Sequence, residues 1–254
     1  MTEARTDIAR AAVLRGPREV AEDEAGASVA AVYARLRELL GVPFVPTVFR
    51  MLAVHEDYLA AVVDAVSATP AERRATYARR GVELAAEVAR QLKPASLSAG
   101  EDTAAIQAVI ERYNVANSAG MLILAALADG LEPARVLEAP LPDRAGRSLQ
   151  DDILLCHGGV TVPGLWRELA QSWPEVAERA WAQIRSLAQT ARFARGRTEL
   201  VALASEALPA TAFPPAGADP EIERIVAWFA RTIPTMVLEI ECLRLALGSA
   251  EPRR

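Results

Sequence analysis

The chain has 254 residues, of which 52% are hydrophobic, only 5% aromatic and 24% charged. That balance excludes a disordered chain, a collagen and a coiled-coil rod, and it leaves room for two units of roughly 100–150 residues each. The formal net charge of −5 argues against a protein whose main task is gripping phosphates, so no nucleic-acid partner is expected.

Residues 1–25 are punctuated by charges and hold Gly16-Pro17 and the acidic run Glu22–Glu24. They read as a mobile arm or a loosely held helix, not as a signal segment. Ser28–Leu40 sets Val29, Val32, Leu36, Leu39 and Leu40 on one helical face, with Ser28 placed as an N-cap and Gly41 as a stop. Helical spacing then predicts Glu56–Val66, Pro70–Leu92, Asp102–Asn114 and Ala119–Leu131. In the second half it predicts Ser148–His157, Val162–Trp173, Pro174–Gln189, Arg195–Ala207, Pro220–Arg231 and Pro234–Leu247. Pro70, Pro174, Pro220 and Pro234 all suit the first turn of a helix. No window alternates like a strand, so an all-α fold is expected. The longest apolar run, Met121–Ala128, is far short of the roughly 18–20 residues of a membrane span, so the expectation is a cytoplasmic protein with no membrane partner.

The chain also resembles itself. At an offset of 117 residues, Gly41–Ala60 lies over Gly158–Ala177. Gly41/Gly158, Val45/Val162, Pro46/Pro163, Arg50/Arg167, Leu52/Leu169, Ala53/Ala170 and Ala60/Ala177 are then identical. The shared motif is VPxxxRxLA, with Phe49 or Trp166 before the arginine. We read two tandem, pseudo-symmetric helical repeats, residues 26–133 and 148–254, joined by a Pro-rich linker at 134–147. Their interface is the natural place for a ligand site.

Only two cysteines (Cys156, Cys242) and two histidines (His55, His157) are present, in no CxxC or HExxH pattern. A disulfide scaffold and a thiol-redox site are therefore excluded, and no metal is expected. Adjacent residues on a helix point in different directions, so Cys156-His157 is read as packing, not as a nucleophile and base. Arg50 and Arg167 admit two readings: a clamp for an anionic substrate, or a structural ion pair made twice, with a partner such as Glu56 or Glu168. Phe44, Phe49, Trp166 and Tyr113 either line a pocket or fill the core; Tyr113 is the best pocket candidate, because it sits one turn before Asn117.

Two repeats opening with VPxxxRxLA, the stretch RYNVANSAGMLIL (Arg112–Leu124) in the first of them, and the Pro-rich linker together resemble the group I D,L-2-haloacid dehalogenases. The resemblance runs from about Leu36 onward. It implies a cofactor-free hydrolase of short 2-halocarboxylic acids, in which an aspartate-activated water displaces the halide in a pocket between the halves. An asparagine positions that water; here it falls on Asn117 or Asn114, with Asn117 preferred. Asn117 sits where a helix break is expected, so a plain N-cap is the alternative role. The second-repeat motif GGVTVPGLWRELA (Gly158–Ala170) contains no aspartate, and its only carboxylate is Glu168. The candidate site is thus Asn117 and Glu168 for catalysis, with Phe44, Tyr113, Asn114 and Trp166 around a small-molecule substrate. The alternative is a non-catalytic relative that binds a small carboxylate or apolar ligand there. A homodimer is left open.

Overall fold

The structure, a computed structural model, describes residues 18–131 and 144–248. Most of the N-terminal arm, most of the linker and the last six residues lie outside these. The described chain is all-α, with no strand. Among the described residues five α-helices belong to the first half: α1 (Ala27–Leu40), α2 (Thr47–Leu52), α3 (Glu56–Ala68), α4 (Ala71–Leu92) and α5 (Thr103–Leu127). Five form the second: α6 (Leu149–Cys156), α7 (Gly164–Ser172), α8 (Pro174–Ala188), α9 (Ala191–Ser205) and α10 (Pro220–Gly248).

The boundaries follow local chemistry. α1 stops at Gly41, whose φ of 68° lets its N–H turn back to the carbonyls of Arg37 and Glu38. The side chain of Ser148 accepts from Asp151 N–H and caps α6; Thr190 accepts from Phe193 N–H and caps α9. That cap starts α9 four residues before the expected Arg195. Pro174 occupies the first turn of α8, as expected.

Two expected breaks are absent. α5 runs straight through Asn117, and α10 runs through Pro234. An internal proline removes one ladder hydrogen bond and costs about 3 kcal/mol. The buried flank of Thr232, Met236, Val237 and Leu238 offsets this by packing. Asn117 is therefore not an N-cap; it is a mid-helix residue.

The offset seen in the sequence pairs Thr47 with Gly164 at the starts of α2 and α7. It also pairs Thr103 with Pro220 at the starts of α5 and α10. α5 packs on α10, and α4 on α9, so counterpart helices meet each other. The two halves also share their cores. The first cluster adds Ile222, Ile225, Val226, Trp228 and Phe229 of α10 to α1–α4, and the second adds Ile106, Val109 and Ile110 of α5 to α6–α8. Neither half closes a core on its own. No helix among the described residues is long and apolar enough to cross a membrane.

Residues 18–25 form no helix. Val20 N–H donates to Arg50 O at 3.0 Å, Tyr33 Oη to Val20 O at 2.7 Å, and Glu22 accepts from Val45 N–H at 2.8 Å. This segment is strapped across the loop that leads into α2. Arg147, Arg185 and Arg144 surround the fully buried Asp152 of α6 at 3.1, 3.0 and 3.8 Å, and Trp181 Nε1 donates to it at 2.8 Å.

Candidate functional site

The two VP motifs and the middles of the two long helices meet around one cavity of about 340 Å³. Pro46 and Pro163 lead into α2 and α7 with nearly the same backbone angles, φ −57°, ψ 145° and φ −55°, ψ 141°. Proline presets φ, so each motif turns its next residues inward in the same way. α5 contributes Tyr113 and Asn117, one turn apart; α10 contributes Trp228, Phe229, Thr232, Ile233 and Met236. The walls are largely apolar, with Asn117, Arg50, Arg167 and Glu168 among the polar groups. A small organic acid fits this size and lining.

Four of the six candidate residues come together here: Phe44, Tyr113, Asn117 and Glu168. The rings of Phe44 and Tyr113 stand 5.3 Å apart, tilted by 48°. The Arg112 guanidinium lies 5.9 Å from the centre of one ring and 5.7 Å from the other. Its Nη2 donates to Glu168 Oε1 at 2.5 Å. Burial pushes the Tyr113 hydroxyl up to about 12; Glu168 beside it adds to the rise, and Arg112 and Arg167 oppose it. Tyr113 is thus a neutral donor at working pH. The side chain of Asn117 makes no hydrogen bond to the described residues, so its amide is open to a ligand or a water. Gly164 leaves room for Tyr113: a Cβ there would stand 2.9 Å from Cε1 and 3.0 Å from Oη of the tyrosine. Gly164→Ala is expected to cost about 1–3 kcal/mol in urea unfolding, as the ring is forced aside.

The other two candidates are placed elsewhere. Asn114 is buried between α5 and α10, where its Nδ2 donates to Glu241 Oε1 at 2.8 Å. Trp166 is fully buried on the far side of α7; its indole donates to Glu239 Oε2 at 2.8 Å and packs edge-on against Trp181. A buried indole N–H needs a partner, and the one Trp166 takes, Glu239, does not line the cavity.

The repeated arginines each hold their own motif loop. Arg50 Nη1 donates to Val45 O and Arg167 Nη2 to Val162 O, both at 3.1 Å. Their expected carboxylates are not Glu56 and Glu168: Arg50 meets Glu19 at 3.3 Å, and Glu168 is taken by Arg112. Arg112, beside the cavity, is a residue that the sequence left unassigned, whereas for Arg167, on its wall, the sequence offers two readings. The signal for Arg112 was its place beside Tyr113 in the quoted RYN stretch.

His157 is buried with Nδ1 2.8 Å from Ile153 O, a contact that requires Nδ1 to carry a proton. Its Nε2 faces Glu239 Oε1 at 3.3 Å. Burial pulls the imidazole pKa down, but Glu239 and the Ile153 carbonyl outweigh it, and the net direction is upward. A raised folded pKa adds stability that is complete below the unfolded value of about 6.5 and is lost as pH rises through the folded value. Melting temperature is therefore expected to fall on the alkaline side, and His157→Gln to flatten that slope. Burial pushes the thiols of Cys156 and Cys242 up to about 11 and about 12, so neither is a thiolate nucleophile at neutral pH. Among the described residues no group of three or more His, Cys, Asp or Glu side chains is placed to hold a metal ion.

No protein-family model matches the chain, and neither does any curated protein. Solved structures do match. A D-2-haloacid dehalogenase mutant has a TM-score of 0.75 and 17% identity over 91% of this chain and 95% of that one. A complex of D-2-haloacid dehalogenase with L-LA has a TM-score of 0.73 and 16% identity, over 91% and 96%. A mutant of D-2-haloacid dehalogenase with D-2-CPA has a TM-score of 0.69 and 15% identity, over 91% and 95%. At these identities the likeness establishes the fold.

Proposed function

We propose that the chain is a divergent 2-haloacid dehalogenase that hydrolyses a short 2-halocarboxylate in the cavity between its halves. The observation that carries this reading is the cavity itself. About 340 Å³ of mostly apolar space is lined by the amide of Asn117 on α5 and, from α7, by the amide of Gln171 and one carboxylate, Glu168. A carboxylate can take a proton from water as the water attacks the α-carbon, and an amide can hold that water by donating and accepting. The halide leaves as the C–O bond forms, and the proton ends on Glu168. The apolar walls suit a halogenated carbon, and the arginines suit a carboxylate. The neutral Tyr113 hydroxyl supplies a further donor.

A second reading is binding without turnover. It is favoured by the Arg112–Glu168 contact at 2.5 Å, which occupies the Oε1 lone pairs that a water would use. The two are separated by incubating the folded chain with D- and L-2-chloropropionate and assaying halide, alongside a thermal shift with the same acids. Halide release supports the hydrolase. A ligand-dependent rise in melting temperature with no halide leaves only the binding reading, and no response in either assay removes both.

A further inference from the structure

The repeated arginines are the same residue in the same local setting, yet their charges are handled differently. Arg50 donates to Val45 O, to Thr47 Oγ1 at 3.2 Å and to Glu19 Oε2 at 3.3 Å. Glu19 belongs to the strap ahead of α1, which is fixed on the loop by the backbone bond from Val20 to Arg50. Arg167 donates to Val162 O and to Thr161 Oγ1 at 3.4 Å, both from Nη2. Among the described residues no carboxylate lies within ion-pairing distance of it; the neighbouring Glu168 pairs with Arg112 instead.

Of the three charges on the cavity wall, Arg50 and Glu168 are thus each ion-paired, and Arg167 has no carboxylate partner among the described residues. A half-buried guanidinium beside apolar side chains gains most from an anion, and its planar fork presents several further N–H donors. Resting on the reading of the cavity as a small-carboxylate site, we propose that Arg167 anchors the ligand's carboxylate and that Arg50 is its structural twin. The duplication supplied two arginines, and the strap carrying Glu19 neutralised one. The ligand is then held asymmetrically: its carboxylate faces the second-half motif, and its apolar substituent is left to Phe44 and the α10 aromatics.

The test is calorimetric titration of the full chain with propionate, which has no halogen to lose, and with the uncharged propionamide. Arg167→Gln is expected to weaken propionate at least about tenfold while propionamide changes less than about twofold; Arg167→Lys, which keeps the charge but not the fork, falls between. Circular dichroism checks that each variant is folded. Unchanged propionate affinity in Arg167→Gln overturns the anchor and leaves the cavity reading standing. Equal losses for propionate and propionamide also overturn it, since no charge would then be recognised. If the unaltered chain binds neither, the cavity reading itself fails. Propionate binding that depends on Arg167, with no halide released from 2-chloropropionate, keeps the anchor and removes only the hydrolysis.

Discussion

Asp152→Ala is expected to lower the free energy of unfolding by about 3–5 kcal/mol, seen as a drop in the urea midpoint with little change in slope. Asp152 is fully buried, and two segments converge on it: Arg144 and Arg147 ahead of α6, and Arg185 and Trp181 on α8. Forming such a cluster gains little net energy, because the charges must leave water first. Removing its centre is different, since the guanidiniums of Arg147 and Arg185 and the Trp181 N–H stay half-buried or buried without that acceptor. Asp152→Asn separates the contributions. It keeps an acceptor for Trp181 but not the charge, so its loss should come close to that of alanine if the ion cluster dominates. A loss below about 1 kcal/mol for alanine would show that the cluster is relaxed or water-filled.

Much of the fold was legible because helix formation is written locally. The spacing of Val29, Val32, Leu36 and Leu40 and the stop at Gly41 gave α1 to within a residue. Pro174 gave the start of α8. The breaks at Asn117 and Pro234 were misread because local preference was set against packing that involves residues more than a hundred positions away. α5 and α10 are buried against each other, and that burial holds both helices continuous. The site divides in the same way. Phe44, Tyr113, Asn117 and Glu168 share one cavity wall, and the repeat and the resemblance that pointed to them report position along the motif. Asn114 and Trp166 lie off that wall because their partners, Glu241 and Glu239, lie far down the chain on α10. The pairing of Glu19 with Arg50 and of Arg112 with Glu168 likewise crosses long gaps in sequence, and no periodicity reports it.

The largest expected effect on activity falls on Glu168. Under the hydrolase reading, Glu168→Gln should reduce halide release by about 10²–10⁴-fold, because the amide keeps the shape of the side chain and loses the base. Asn117→Ala should reduce it less, since water can still reach the cavity without being oriented. The informative variant is the double one. Two groups that hold one water act as a unit, so Glu168→Gln/Asn117→Ala should be about as slow as Glu168→Gln alone, not slower by the product of both losses. Losses that multiply would mean the two side chains serve separate steps, and the shared water would have to be abandoned. Equal halide release from Glu168→Gln and the unaltered chain would show that another group is the base. Asp152, held by three arginines, and Glu239, held by Trp166 and His157, are already engaged in the second-half core. Neither lines the cavity, so a hydrolase without Glu168 would have no described carboxylate left on the wall to activate water.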